Sequence, residues 1–201
     1  MARGTRETIL TAAIELMRVH GYAALSMKQI VAASGAPIGS IYHHFPEGKG
    51  QIAREALVNS GVAYAAVIPM VMAEQLELGA GIRAAFAQAA DDMESAGYAN
   101  MCPVSTVAGE VANSDEPLRL AAASVFGDWI TLGRMYFHSR GLAEDLAEEV
   151  VIAIICSLEG AFVMARTLRS KTPLLAAGRA VAGTYDGIAL LPVPAGSQTL
   201  L

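Results

Sequence analysis

Apolar residues recur at helical spacing along almost the whole chain, and no segment keeps the strict alternation of a half-buried strand. Glycine, proline and short polar clusters interrupt that period near Gly21, Ser34-Gly35-Ala36-Pro37, Phe45-Pro46, Gly79-Ala80-Gly81, Gly97, Ser114-Asp115-Glu116, Gly141 and Ser170-Lys171-Thr172. The punctuation predicts roughly nine helices and an all-α fold. The first three helices are short and crowded together, and those that follow are longer. The chain therefore divides into a head, residues 1–50, and a larger helical body, residues 51–201.

The head has the sharper pattern. Ile9, Ala12, Ala13, Leu16 and Met17 form the apolar stripe of a first helix from Thr5 to His20, with Gly21 expected as its left-handed cap. Ser26-Met27-Lys28-Gln29 has the form of a capping box, so a second helix starts at Met27, buries Ile30, Val31 and Ala33, and stops at Ser34-Gly35. Pro37 suits the first position of a third helix, Pro37-Ile38-Gly39-Ser40-Ile41-Tyr42-His43-His44. Two short helices joined by a tight glycine-containing turn have helix-turn-helix geometry. On the third helix Gly39 and Ser40 leave a low outer face suited to close approach to a groove. Tyr42, His43 and His44 offer hydrogen bonds at phosphate reach, and Lys49 adds a cation just beyond. A plain helical hairpin packed on the body is the competing reading of the same spacing.

In the body, the fourth helix is expected to open at Phe45-Pro46 and run to Leu76 with a kink at Pro69. Its stretch from Ala56 to Ala73 carries no charge and reaches the length of a membrane span. Asn59, Ser60, Gly61 and Pro69, together with the abundance of alanine, favour a buried helix of a protein with no membrane partner. The last two long helices, 143–168 and 173–188, repeat Val150, Val151, Ile154, Ile155, Leu158, Phe162 and Ala165 at three-to-four spacing, and Gly160-Ala161 permits close helix approach. The uncharged tail from Leu190 is expected to be extended or poorly ordered.

Composition narrows the class. The 201 residues are 54% hydrophobic and 6% aromatic, enough apolar surface for a substantial core and against intrinsic disorder. Two cysteines exclude a disulfide framework and agree with a reducing, cytoplasmic setting, and the charged N-terminus is no signal peptide. The net charge of −5 argues at first against a nucleic-acid partner. It is unevenly distributed: residues 1–54 hold six Lys/Arg against three carboxylates, a head of +3 on a remainder of −8.

The head motifs carry a resemblance. Ile9-Leu10-x-Ala12-Ala13-x-x-Leu16-Met17-x-x-x-Gly21, then Ser26-x-x-x-Ile30-x-x-x-Ser34-Gly35, then Gly39-Ser40-Ile41-Tyr42-His43-His44-Phe45, is similar in order and spacing to the tetracycline-repressor (TetR) family. The resemblance implies that the third helix enters the major groove of double-stranded DNA. By matched position Ser26, Tyr42, His44 and Lys49 are implied phosphate contacts. Lys28, Ile38, Gly39 and Ser40 face base edges, and His43 touches backbone or base. Two departures stand out. Ile38 occupies a position where a polar or basic residue is common, so its readout would be apolar, for instance against a thymine methyl. Ala36-Pro37 replaces a frequent Val-Ser pair and removes the usual side-chain cap of the third helix.

In the body, Asn100-Met101-Cys102-Pro103-Val104, Glu116-Pro117-Leu118-Arg119 and Glu159-Gly160-Ala161 resemble the LmrA/YxaF-like branch of multidrug-type regulators. That resemblance implies a body cavity for a small lipophilic effector. Phe86, Met93, Tyr98, Val104, Val107, Phe126, Trp129, Ile130, Tyr136 and Phe162 are the candidate lining residues. Each can equally be plain core, and Trp129 beside Asp128 is the favoured contact. The resemblance further implies a homodimer through the last two long helices, whose paired heads meet a palindromic operator.

The expected function is a transcriptional repressor that releases its operator when the effector binds. The alternative is a small-molecule-binding helical protein or enzyme with no link to DNA. Against an enzyme, the chain holds no HExxH, CxxC, P-loop, GxGxxG or GxSxG pattern, and no catalytic residue, metal ligand or cofactor is expected. Adjacent side chains such as His43 and His44 splay about 100° apart on a helix, poor geometry for one metal ion. Cys102, ahead of Pro103 at a helix start, is read as a buried structural thiol in preference to an oxidant sensor.

Overall fold

The computed structural model describes residues 4–99 and 101–193. Among these residues it holds ten helices: α1 (Thr5–His20), α2 (Met27–Ser34), α3 (Ile38–His44), α4 (Lys49–Ala65), α5 (Val67–Met72), α6 (Leu78–Ser95), α7 (Pro103–Val111), α8 (Glu116–Ser139), α9 (Glu144–Leu168) and α10 (Thr172–Thr184). The all-α class follows the periodicity. The additional helix arises because the expected fourth helix is divided in two at Ala66. The break lies a turn before the kink expected at Pro69, where a proline ring meets the carbonyl four residues before it, that of Ala65.

The expectation of a buried helix over the uncharged stretch is also corrected. Lys49–Met72 is apolar enough for a membrane span by length and composition, yet only a third of its most apolar window is buried. Inward positions Ile52, Ala53, Ala56, Leu57, Ser60 and Gly61 are covered, while Val62 is 70% and Met70 69% exposed. The covered side continues across the break at helical spacing, through Gly61, Tyr64, Ala65, Ile68, Pro69 and Met72, and the opposite side, with Val62, Val67 and Met70, stays open.

The chain forms two compact units, one of residues 1–61 with 101–126 and one of residues 62–100 with 127–201. In the first, α1 packs on α2, α3 and α7. Ile9, Ala13 and Met17 of α1, Ile30 of α2, Ile41 of α3, and Ile52 and Leu57 of α4 are fully buried. Of the three residues expected inside on α2 only Ile30 is; Val31 is half-buried and Ala33 exposed. Gly61 of α4 meets Val125 of α8 so closely that a β-carbon there would lie 2.5 Å from a valine methyl.

In the second unit α6 packs on α5, α9 and α10, and α9 on α10. Its larger core joins Leu78, Ile82, Phe86, Phe137, Val150, Val151 and Ile154, and a smaller one joins Ala90, Met93, Ala161, Ala165 and Leu174. Gly178 of α10 lets the Phe86 ring approach its backbone; a β-carbon would sit 2.5 Å from that of Phe86. Glu77 caps α6, accepting the N–H groups of Gly79 at 2.9 Å, Ala80 at 2.6 Å and Gly187 at 3.0 Å. α10 stops at Thr184, short of the expected Ile188, and the chain turns through Gly187 at φ 79.

The tail does not start free at Leu190. Leu78 N–H donates to Ile188 O at 2.9 Å and Leu190 N–H to Leu76 O at 2.9 Å, and Leu190 is buried. The remainder of the tail expectation, residues 194–201, lies outside the described residues.

One polar residue ties these pieces together. Arg140 is completely buried between α8 and α9. Its Nη2 donates to Gln75 O at 2.5 Å, Nη1 to Met72 O at 3.3 Å and to the Tyr136 hydroxyl at 2.6 Å, and Nε to Leu191 O. Met72 is the last residue of α5, so the cation lies at the negative end of that helix. Burial pushes the Tyr136 hydroxyl above its ordinary range, with the guanidinium opposing the shift. Replacing Arg140 by methionine keeps the length but strands these carbonyls without donors. Denaturant unfolding of Arg140→Met is expected to show a loss of about 2–4 kcal/mol, with faster amide exchange at Leu191, whose N–H donates to Arg140 O at 2.8 Å.

Candidate nucleic-acid interface

The head is assembled by local rules that the structure satisfies closely. Ser26 caps α2: its Oγ accepts the Gln29 N–H at 3.3 Å, and Gln29 Oε1 accepts the Ser26 N–H at 2.9 Å, the reciprocal bonds of a capping box. Gly35 ends α2 in the left-handed conformation, φ 68 and ψ 3, with its N–H on Val31 O at 2.9 Å. Gly21, expected to be left-handed as well, has φ 77 but ψ 176, an extended positive-φ conformation that still favours glycine. Pro37 stands at the N-cap, not at the first helical position, since its ψ of 144 is extended; no side chain caps α3, as the Ala36-Pro37 pair implied.

Only Ile41 of α3 is buried, and Phe45 directly after the helix is fully buried too. The opposite face is open. Ile38 is 47% and Tyr42 49% exposed, Gly39 and His43 are exposed, and Ser40 and His44 are half-buried. A β-carbon on Gly39 would meet nothing within 4 Å, so the low face expected there is present. Lys28 is exposed in the first turn of α2, and Ser26 is exposed at its cap. The rings of His43 and His44 stand edge to face with centroids 5.2 Å apart. The sequence-predicted DNA-contact residues thus lie on α2, α3 and the start of α4 within one unit.

Lys49 is arranged in a way that the sequence did not disclose. Its Nζ lies 4.2 Å above the centre of the Tyr22 ring, a cation–π contact. Tyr22 in turn donates its hydroxyl to Asp115 Oδ2 at 3.4 Å. Burial first, then the Asp115 carboxylate, pushes this hydroxyl above the ordinary tyrosine range, so it stays a donor at neutral pH. Tyr22, Glu110 and Asp115 were missed because nothing local marks them; Tyr22 and Asp115 are 93 residues apart in sequence. Phe45 carries a second cation–π contact, Arg6 at 5.2 Å, and Arg6 also pairs with Glu55.

The candidate effector residues do not form one group. Phe86, Ile130 and Tyr136 belong to the larger core of the second unit, and Met93, Tyr98 and Phe162 to its smaller core. Trp129 stacks at a tilt on Tyr64, with centroids 6.3 Å apart. Val104, Val107 and Phe126 belong to the first unit, where the two valines are fully buried. Cys102 is buried at the cap of α7, whereas Cys156 is exposed on α9.

A capped α2, a left-handed glycine turn and a short α3 with one bare face define a helix-turn-helix DNA-binding head. Comparison with known proteins carries this further. Residues 9–56 match the profile of bacterial regulatory proteins of the tetR family, and residues 79–180 that of the C-terminal domain of LmrA/YxaF-like transcriptional regulators. The chain is 34% identical over 171 residues to the uncharacterized HTH-type transcriptional regulator YxaF of Bacillus subtilis (strain 168), covering 85% of this chain and 90% of that protein. It is 31% identical to the HTH-type transcriptional regulator LmrA of the same organism, covering 85% and 91%. Among solved structures, the regulatory protein TetR from Rhodobacter sphaeroides shares the fold with a TM-score of 0.78 at 20% identity, over 90% of this chain and 98% of that one. A TetR transcriptional regulator from Chloroflexus aurantiacus J-10-FL aligns with a TM-score of 0.72 at 26% identity, over 93% and 96%. The chain belongs to the TetR family of transcriptional regulators, in its LmrA/YxaF-like branch. It is a DNA-binding regulator and not an enzyme.

The two head glycines separate conformational from steric roles. At Gly35 a β-carbon meets open space, so Gly35→Ala tests backbone strain alone and is expected to cost about 1–2 kcal/mol. At Gly39, also in open space but within a helix, Gly39→Ala is expected to stabilise by about 0.5–1 kcal/mol. Urea unfolding of both variants checks the opposite signs.

Proposed function

We propose that this regulator is a cytoplasmic homodimeric repressor that leaves a palindromic operator when a small lipophilic effector binds its helical body. The observation that carries the reading is the open face of α3 within an N-terminal segment, residues 1–54, of net charge +3, with Ile41 and Phe45 turned inward to hold it. In this reading α3 lies in the major groove. Ser26, Tyr42, His44 and Lys49 grip phosphates, Lys28, Ile38, Gly39 and Ser40 meet base edges, and His43 touches either. The net −8 of residues 55–201 disfavours docking on DNA in the wrong orientation.

The dimer is supported by α9, which is apolar on two sides. Val150, Val151, Ile154, Ala161 and Ala165 are buried, while Ile152, Val163, Met164 and Leu168 are exposed, as is Leu175 on α10. A helix with that second face calls for a partner, and α9 and α10 of another copy supply it by two-fold symmetry. Two heads then address half-sites about 34–36 Å apart. The effector is held within the second unit, with Trp129 on Tyr64 as its aromatic anchor. An effector that prefers the body conformation with mis-spaced heads shifts the population, with a coupling of about 1–3 kcal/mol.

A mobility shift on duplex DNA selected from a random pool by the wild-type protein tests the DNA half of the reading. Binding is expected to weaken steeply with salt; failure to select any sequence rejects it. Tyr42→Ala and Lys49→Ala are expected to weaken binding to all sequences alike, and Lys49→Ala to reduce the salt slope by about one ion. Ile38→Ala is expected to relax discrimination at a single base pair by about 1–3 kcal/mol, read by repeating the selection. A lipophile that quenches Trp129 fluorescence and releases the duplex in the same titration supports induction; quenching without release rejects it.

A further inference from the structure

The loop from α1 to α2 is held from outside the head. Gly21 opens it at φ 77, and the next two backbone N–H groups, those of Tyr22 and Ala23, converge on one side chain. Glu110 near the end of α7 receives both: Oε1 accepts from Tyr22 at 3.2 Å and Oε2 from Ala23 at 2.7 Å. Successive N–H groups of this kind form a small anion-holding concavity, and here it is filled by an internal carboxylate. Gly21 provides the room, since a β-carbon there would overlap the Glu110 carboxylate.

The same loop leads directly into the residues that meet DNA in the proposed reading. Leu25 is buried, and Ser26 caps α2 immediately after it. Tyr22 carries Lys49 on its ring and donates its hydroxyl to Asp115. Asp115 also caps α8, its Oδ1 accepting the Leu118 N–H at 3.0 Å. Two carboxylates on either side of the α7–α8 turn therefore hold the loop, one by its backbone and one through the tyrosine. All of these residues belong to the first unit.

We infer that Glu110 is a positioning residue for DNA binding: by clasping the Tyr22 and Ala23 amides it sets Ser26 and Lys49 where they meet phosphates. The inference rests on the DNA-binding reading of these two residues. It makes α7 a direct determinant of operator affinity without any contact between α7 and DNA. The sign of the effect separates it from simple electrostatics. Removing a carboxylate from a phosphate-binding unit would tighten binding if charge alone mattered. Removing a clasp loosens the loop and weakens binding.

The test uses the full chain and the duplex selected by wild-type protein, with binding measured across a salt series. Glu110→Ala is expected to bind about tenfold more weakly, as fits one lost charge-assisted pair of hydrogen bonds. It is also expected to show a shallower salt slope and faster amide exchange at Tyr22 and Ala23. Glu110→Gln has the same size and keeps one acceptor oxygen, so it is expected to fall between Glu110→Ala and wild type; it holds the test in folded protein if the alanine variant unfolds. Unchanged or tighter binding by Glu110→Gln, with exchange at Tyr22 and Ala23 accelerated, overturns the inference. Failure of wild-type protein to select any duplex is a separate outcome, seen before any variant is made, and removes the DNA-binding reading itself.

Discussion

α3 leaves its outer side open, and the head depends on how so short a helix is held from its inner side. α3 is only seven residues long, too short to be stable alone. Ile38 and Tyr42 on its outer face keep about half of their surface open, so the fully buried Ile41 and Phe45 supply its main apolar anchorage. The neighbouring elements make this sufficient. The capping box fixes where α2 begins, Gly35 fixes the turn, and α1 provides the surface on which both short helices rest. Gly39 and Ser40 keep the side-chain mass on the outer side low, and a β-carbon at Gly39 would meet open space.

Polar side chains hold the irregular parts of each unit, where helix packing has little to offer. In the first, Glu110 satisfies loop amides that no helix reaches, and Asp115 caps α8 while receiving Tyr22. In the second, Glu77 gathers the start of α6 and the turn after α10, and Arg140 gathers the end of α5 with the residues following α10. A buried guanidinium is costly unless its donors are used, and the carbonyls at a helix end and in a short bridge use them. The segments at Met72, Gln75 and Leu191 are thereby held by hydrogen bonds that are not interchangeable with apolar packing.

The head was legible because its signals are local. Ser26 and Gln29, the glycine after Ser34, and the inward spacing of Ile9, Ala13 and Met17 act within a few residues of one another. Helical period also located the body elements, but it did not reveal the division at Ala66. The effect of Pro69 is felt at a carbonyl four residues earlier, and the exposed side of α4 and α5 is as apolar as the buried side. Candidate effector residues were less legible still. Ten apolar or aromatic residues at helical spacing looked equivalent along the chain, and the fold distributes them among separate cores and two units.

By itself the sequence determined the class of fold, the limits of α1 and α2, and the face that α3 leaves open. Period and caps are properties of neighbouring residues and survive without tertiary context. It also determined the charge separation between head and body, a matter of counting. Only the tertiary structure decided which distant groups meet: Glu110 on the Tyr22 and Ala23 amides, Lys49 on the Tyr22 ring, and Arg140 on Met72, Gln75 and Leu191. Such contacts join residues dozens of positions apart, and their strength lies in direction and distance, which no pattern along a chain encodes.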